Sequence, residues 1–414
     1  MTWKRVRLKE VGTWYGGGTP SKSEPSFWTG GDVPWLSPKD MGPEVLKSTI
    51  DHVTDAAVTG SSTKLVPAGS VAIVTRSGIL ERTMPVALVP FATTMNQDMK
   101  AVVPRADIDA RWIAWGLRAY ERELLRETRK AGTTVASIEM PRFYDFELPL
   151  PALDEQRRIV AIIEDHISRL DAAADYVAAS RRRLIALERA ALDSHFGGTE
   201  VALADLTRGI SAGKSFGSAN APAKDGQWGI IKVSAMTWGE FDPSENKAVA
   251  GDRIDPRFEI REGDLLVSRA NTAEYVGSSV LVGPVRPKLL LSDKSLRVTP
   301  KDDVSAEWLW RALQAPSARR QITALATGTK DSMRNISQSA LKQVLLPRAD
   351  VAMQADALTA FGAISDATAT LRNGVGAAES RLAALRRSLL AAAFSGRLTG
   401  ARETVTMSEE LQHV

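Results

Sequence analysis

The chain is written twice. Trp112-Ile113-Ala114-Trp115-Gly116-Leu117-Arg118-Ala119 returns as Trp308-Leu309-Trp310-Arg311-Ala312-Leu313-Gln314-Ala315, and Gly132-Thr133-Thr134 returns as Gly328-Thr329-Lys330 at the same offset of 196 residues. Pro149 and Gln156 match Pro347 and Gln354 at an offset of 198. That offset runs on without a gap through Leu184, Leu187, Phe196 and Gly198, which fall on Leu382, Leu385, Phe394 and Gly396. Earlier in each half, Gly69-Ser70-Val71 with Arg76 resembles Gly263-Asp264-Leu265 with Arg269 after a slip of one residue. Ordered matches at a nearly constant offset are not what chance gives among common residues. The period exceeds the roughly 20 to 50 residues of a solenoid unit, so the thing duplicated is a whole domain.

Within each half, a mixed segment precedes a helical one. Apolar runs such as Val71-Ala72-Ile73-Val74 and Leu265-Leu266-Val267 follow glycines and predict strands. Residues 110–129 and 305–325 have helical composition. From Asp154 to Ser194, apolar residues recur every seven: Ile163, Leu170, Val177, Leu184, Ala191. The second copy places Phe361, Thr368, Val375, Leu382 and Leu389 at those positions. A second seam is expected three residues later, at Ile364, Leu371, Ala378, Leu385 and Ala392, with a weaker counterpart at His166, Ala173, Ser180, Leu187 and Ser194. Such spacing over four heptads predicts a coiled coil, and no other segment is long enough to partner either helix but the other. The expected architecture is α+β: two mixed α/β domains separated by two long helices that form an antiparallel coiled coil, with a pseudo-two-fold internal repeat. The expected bounds are 1–152 and 198–350 for the domains, 153–197 and 351–397 for the helices, and 398–414 for a polar, mobile tail. A helix of about 40 residues spans roughly 60 Å, which makes the pair a spacer between two heads.

Composition narrows the chemistry. There are no cysteines, which excludes disulfides and thiolate zinc sites. The net charge of +4 permits contact with nucleic acid without demanding it. The N-terminus has no signal-like apolar stretch, and no run approaches the roughly 18 apolar residues of a membrane span, so a cytoplasmic protein with no membrane partner is expected. Gly209-Ile210-Ser211-Ala212-Gly213-Lys214-Ser215 is one residue short of a phosphate-binding loop, which needs four residues between its glycines. A methyltransferase cofactor loop and an Asn/Asp-Pro-Pro-aromatic segment are both missing, and the four histidines, His52, His166, His195 and His413, are scattered. The expectation is a chain with no catalytic residues and no metal.

Two diverged heads at a fixed separation suit a target of two unlike half-sites, such as duplex DNA read a turn or more apart. The order of mixed domain, Leu148-Pro149-Leu150-Pro151-Ala152-Leu153-Asp154-Glu155-Gln156, then long helix, given twice, resembles the specificity subunits of type I restriction–modification systems. Further resembling features are Val33-Pro34-Trp35-Leu36 with Asp40-Met41, the Gly69 and Gly263 turns, the Gly-Thr pairs at 132 and 328, and Ala393-Phe394-Ser395-Gly396-Arg397-Leu398. The resemblance covers residues 5 to 398 and departs in the second copy, where Ala352-Met353-Gln354 replaces the acidic pair before glutamine. It implies that each head is a target recognition domain reading one half of a split site in double-stranded DNA. It also implies that the helices set the gap and dock two modification subunits. Those carry S-adenosylmethionine, while motor-nuclease restriction subunits use ATP and Mg; this chain binds no cofactor itself.

Base and phosphate readers are polar or basic residues on loops. In the first head these are Lys39, Arg76, Ser77, Thr133 and Thr134; in the second they are Lys232, Arg269, Asn271, Thr329, Lys330 and Arg334. Arg76 and Arg269 lead because they follow matched strands. The residues expected to hold the coiled coil or a partner are Ile163, Leu170, Val177, Leu184, Leu187, Phe361, Ile364, Leu371, Leu382, Leu385 and Leu389. Tyr15, Trp35, Tyr144 and Trp228 are read as core, and Arg181-Arg182-Arg183 as a solvated helix face. The competing reading is a coiled-coil scaffold that joins proteins and does not read DNA sequence.

Overall fold

The computed structural model describes residues 3–130, 135–197, 199–218, 221–237, 239–249, 254–330 and 333–399; all but the first two residues of the expected tail lie outside it. The chain divides into two compact units, Met1–Tyr176 with Ala378–Val414, and Val177–Ala377. Each unit combines one head, the beginning of the long helix that follows that head, and the end of the other long helix.

The first unit runs β1 (Lys4–Arg7), β2 (Gly12–Gly16), β3 (Val33–Leu36), β4 (Asp51–Val53), α1 (Asp55–Gly60), β5 (Ser70–Val74), β6 (Val86–Val89), β7 (Thr94–Met95), β8 (Met99–Pro104), α2 (Ala110–Ala119), α3 (Glu121–Thr128), α4 (Met140–Asp145), β9 (Glu147–Leu150) and α5 (Leu153–His195). Strands β2, β8, β5 and β6 form an antiparallel sheet in that order. In a second sheet, β3 lies between antiparallel β4 and parallel β7. β1 pairs with β9 and joins the N-terminus to the strand that feeds the long helix. The unbroken apolar run of β5 follows from burial on both faces. Val71 and Ile73 enter one core with Leu117 and Phe143, while Ala72 and Val74 enter another with Leu36, Met95 and Met99. The sheet is thus the middle layer between the helices and the smaller sheet. Gly69 turns the chain into β5 at a φ of +80°, a left-handed conformation that disfavours a Cβ.

The second unit repeats this plan with β10 (Glu200–Ala202), α6 (Leu203–Leu206), β11 (Thr207–Ala212), β12 (Gly229–Ile231), β13 (Asn246–Ala248), β14 (Leu265–Ser268), β15 (Ala270–Asn271), β16 (Ser279–Leu281), β17 (Leu289–Leu290), β18 (Ser295–Pro300), α7 (Ala306–Gln314), α8 (Pro316–Leu325), β19 (Thr327–Lys330), β20 (Met333–Asn335), α9 (Gln338–Leu341), β21 (Leu345–Pro347) and α10 (Val351–Phe394). The main sheet is β11-β18-β14-β16, the smaller one β13-β12-β17, and β10 pairs with β21. Gly263 turns into β14 at a φ of +85°, and Leu265 and Val267 face the helical core while Leu266 faces Ile231 and Met236. The segment read as a failed phosphate loop is largely strand β11.

Within each unit the two long helices run antiparallel. In the first, Ile159, Val160, Ile163 and Ile167 of α5 share a core with Leu390, Ala393 and Phe394 of α10. Ala191, Leu192 and Phe196 of α5 meet Phe361 of α10 in the second unit. The expected first seam is buried or half-buried along its length, and the second is mixed. Leu187, Leu371 and Leu385 are 50%, 55% and 48% exposed, while Ala173, Ile364, Ala378 and Ala392 are half-buried. Four residues after the first seam, Ile167 and Ala393 are buried and Glu188, Arg372 and Arg386 are polar. These polar residues pair across the helices. Glu188 accepts from Thr368 at 2.6 Å and binds Arg372, and Arg386 meets Asp171 at 2.8 Å. Among the described residues no helix is long and apolar enough to cross a membrane, and no cluster of three or more His, Asp or Glu is placed to hold a metal.

One buried amide joins each head to its helix. Gln156, wholly buried, accepts from the Asp109 N–H at 2.9 Å and donates to the Asp107 and Pro151 carbonyls at 3.1 and 2.9 Å. Gln354 accepts from the Ser305 N–H at 2.7 Å and donates to Asp303 and Ala349 at 2.9 and 3.0 Å. Asp109 and Ser305 cap α2 and α7. Leucine at either glutamine is expected to cost about 1–3 kcal/mol for each backbone group left unpaired; denaturant titration of Gln156→Leu and Gln354→Leu checks this, and unchanged midpoints would refute the role.

Candidate nucleic-acid interface

The residues singled out in the sequence lie just after β3 and β12, at the exits of β5 and β14, and on a small ribbon of the second unit. Lys39 and Lys232 each follow the central strand of the smaller sheet, β3 or β12. Each is tied to an acid: Lys39 to Asp51 at 2.6 Å, Lys232 to Glu245 at 3.3 Å. The hydrogen bond to Asp51 raises the Lys39 ammonium above its ordinary value. Glu245 is held below the usual carboxylate range by the Ser234 hydroxyl and then by Lys232. Part of the charge of each lysine is thus matched locally.

Arg76 leaves β5 exposed, and its side chain has no hydrogen bond or ion pair among the described residues. Its backbone bridges Ser137, and Arg129 bridges Ile138. Thr133 and Thr134 lie outside the described residues. Ser77 caps the following turn by accepting from the Ile79 N–H at 3.4 Å.

The second unit places its candidates on a small ribbon in which β20 lies between β15 and β19. Asn271 pairs in register with Arg334, and Lys330 with Met333. For Thr329 and Lys330 only the backbone belongs to the described structure. Gly328 is required by close approach: a Cβ there would meet the Met333 carbonyl oxygen at 2.5 Å. Arg269, Ala270, Asn271, Lys294, Met333 and Asn335 line a cleft of about 390 Å³, with Val233 from the turn after Lys232. The Asn271 side-chain oxygen Oδ1 accepts from the Thr272 N–H at 2.9 Å, while its side-chain Nδ2 is buried without a partner among the described residues.

Two expectations change. Arg269 is not the positional counterpart of Arg76. Its N–H donates to the Lys294 carbonyl and its own carbonyl accepts from Ile336. Those are the bonds that Thr75 makes to Asp98 and Ile138 in the first unit. Ala270 therefore stands where Arg76 does. Successive strand side chains point to opposite faces, so this one-residue shift gives the two heads different surfaces at the same site. Arg334, for its part, is bound internally: its guanidinium donates to the Gly328 and Ala326 carbonyls, both at 2.9 Å. The sequence reading missed Lys294, exposed in the turn before β18. Its polar neighbours Ser292, Asp293 and Ser295, just before an apolar strand, are the signal that marks it.

Residues 1–174 match the family model of the type I restriction modification DNA specificity domain. The chain is 47% identical over 164 residues to the Escherichia coli type I restriction enzyme EcoR124I/EcoR124II specificity subunit, covering 40% of each protein. It is 33% identical over 129 residues to the Escherichia coli EcoEI specificity subunit, 31% of this chain and 22% of that one. These alignments thus span well under half of either relative. In fold, it matches a chain solved in work on assembly and conformational transition of the type I R-M system, with a TM-score of 0.73 and 19% identity, over 96% of this chain and 98% of that one.

The Arg334 clamp predicts that Arg334→Lys loosens the ribbon. A lysine does not reproduce the two-carbonyl fork, and losing a charge-assisted bond worth roughly 1.5–3 kcal/mol is expected to speed amide exchange across β20 by tenfold or more. Unchanged exchange would free Arg334 for a role at the surface.

Proposed function

We propose that this chain belongs to the specificity-subunit family of type I restriction–modification systems, reads an asymmetric, two-part sequence in double-stranded DNA and leaves the chemistry to its partners. Each unit reads one half of the site with the loops at the exits of β5 and β14. The observation that carries this reading is one framework built twice with different side chains at matched positions: Arg76 opposite Ala270, Thr75 opposite Arg269. Repetition of the framework supports a common target class, and divergence at its rim supports two different sequences. Arginine and asparagine are the residues suited to guanine and adenine edges, while lysines such as Lys39 and Lys232 suit phosphates. Lys330 belongs to the same proposal, with Thr133, Thr134 and Thr329.

The partners proposed are two modification subunits carrying S-adenosylmethionine and restriction subunits using ATP and Mg, in the cytoplasm. The half-exposed leucines on the long helices, including Leu385 beside Leu170 and Leu389 around an apolar groove of about 370 Å³, support docking of protein there. A scaffold that ignores DNA accounts for the helices but not for the divergence at the rims.

A genome-wide map of methylated adenine, with and without this gene, tests the reading. Loss of one asymmetric split motif on deletion is expected; an unchanged map in a strain whose modification subunit is active would sink it. The spacer role has its own test. One added heptad in both long helices lengthens each by about 10 Å. The unread gap in the methylated motif is expected to grow by about three base pairs, and an unchanged gap would show that the helices do not set it.

A further inference from the structure

Each unit carries a second cleft, bordered by the far part of the loop that leaves β5 or β14, and the two are built from matching parts. In the first unit, a cleft of about 740 Å³ lies between the turn before β6, the helices α2 and α3, and the last turns of α10. In the second, a cleft of about 810 Å³ lies between the turn before β16, α7 and α8, and the last turns of α5. Arg387 lines the first and Arg189 the second, at the 198-residue offset that carries the helical repeat.

Both clefts are basic. Arg118, Arg122, Arg386 and Arg387 face Glu44 and Glu121 in the first; Arg189, Arg319 and Arg320 face Glu274 in the second. The acids of the first cleft are engaged: Glu121 binds the Thr83 hydroxyl and the Met84 N–H, and Glu44 meets Arg386 at 3.6 Å. Arg118 and Arg319 are mostly buried, and neither has a carboxylate at ion-pair distance among the described residues. Each donates to the backbone instead, Arg118 to Val86 at 2.6 Å and Arg319 to Val276 at 2.8 Å, and one Arg319 nitrogen is buried with no partner. Burial pushes both guanidinium groups down from their ordinary value. Arg122, Arg387, Arg189 and Arg320 are exposed, with no side-chain ion pair among the described residues. The first cleft also has apolar lining from Met84, Pro85, Trp115 and Leu390. A sugar–phosphate backbone offers nothing to such a wall, whereas an amphipathic acidic peptide fills both kinds of surface.

We propose that these two clefts are equivalent docking sites for an acidic, partly apolar protein segment, one copy per unit, supplied by the modification subunit. The inference rests on the function proposed above and adds where that partner is held. Matched clefts set the stoichiometry at two, because each unit presents one complete site.

The test uses the full chain co-produced with the modification subunit from its own locus, weighed by native mass spectrometry. The wild-type chain is expected to hold two copies. Arg122→Glu with Arg387→Glu is expected to leave one copy, Arg189→Glu with Arg320→Glu likewise one, and the four changes together none, while the matching lysine variants keep two. Melting temperature is expected to stay unchanged, since all four side chains are exposed. A wild-type chain that holds no modification subunit would overturn the partner reading beneath the proposal. Two copies retained by every glutamate variant would overturn the clefts alone. Loss of DNA binding with both copies retained would reassign the clefts to phosphate and equally overturn the proposal.

Discussion

Everything in this structure depends on a phenylalanine delivered from far along the chain. Phe394, at the end of α10, packs against Trp112 of the first head with ring centroids 4.3 Å apart. Phe196, at the end of α5, lies 6.4 Å from Trp308 of the second head and 5.9 Å from Phe361. Neither head completes its core with the helix that follows it; each needs the last turn of the other helix. Full burial of an aromatic side chain stabilises by about 1.5–3 kcal/mol, and pairing with a second ring adds about 0.5–1.5 kcal/mol. The antiparallel course of the helices is thereby fixed at their ends by side chains, with Gln156 and Gln354 fixing where each helix begins.

The middle of the helix pair is different in kind. Glu188, Arg372, Arg386 and Asp171 occupy or flank positions that a uniform coiled coil would fill with leucine. Polar residues at such positions define register at a cost in stability. The acids are on α5 and the arginines on α10 in both units, so the charge pattern favours pairing of unlike helices over like ones. The aromatic ends supply cohesion and the charged middle supplies register.

Much of this was legible in the sequence, for a physical reason. A duplication preserves what packing demands, so Trp112 and Trp308, Gln156 and Gln354, and Phe196 and Phe394 stand out by their offset alone, and the seven-residue period reports the first seam directly. The second seam was legible only in part, because half-buried Ile364, Ala378 and Ala392 share the helix interface with Glu188, Arg372 and Arg386, which a search for apolar residues passes over. The smaller sheets were not legible: β4, β7, β13 and β17 have two or three residues each, too few for a period-two pattern to emerge. Arg76 and Arg269 were set opposite each other by letting the repeat slip one residue after the matched strand, yet the hydrogen bonds keep the offset of 194 given by Gly69 and Gly263 and set Arg269 opposite Thr75. The role of Arg334 was hidden because its two acceptors are backbone carbonyls, which carry no sequence signature.

That one-residue shift bears on how a single fold presents two different surfaces. The framework residues are held by burial on both faces of β5 and β14, where a changed methylene is felt throughout the layer. At the strand exit the backbone is still fixed by the bonds through Thr75 or Arg269; the Thr75 side chain is buried and donates to the Asp98 carbonyl at 3.0 Å, while Arg76 is exposed. Moving an arginine by one position there relocates a cation from one side of the strand to the other. Substitution in the middle of β5 alters stability first, whereas substitution just past its end alters the surface presented to a ligand first. A duplicated reader can therefore diverge fastest at the rim, and the two units have diverged at Arg76 and Arg269 while their buried tryptophans and glutamines stayed the same.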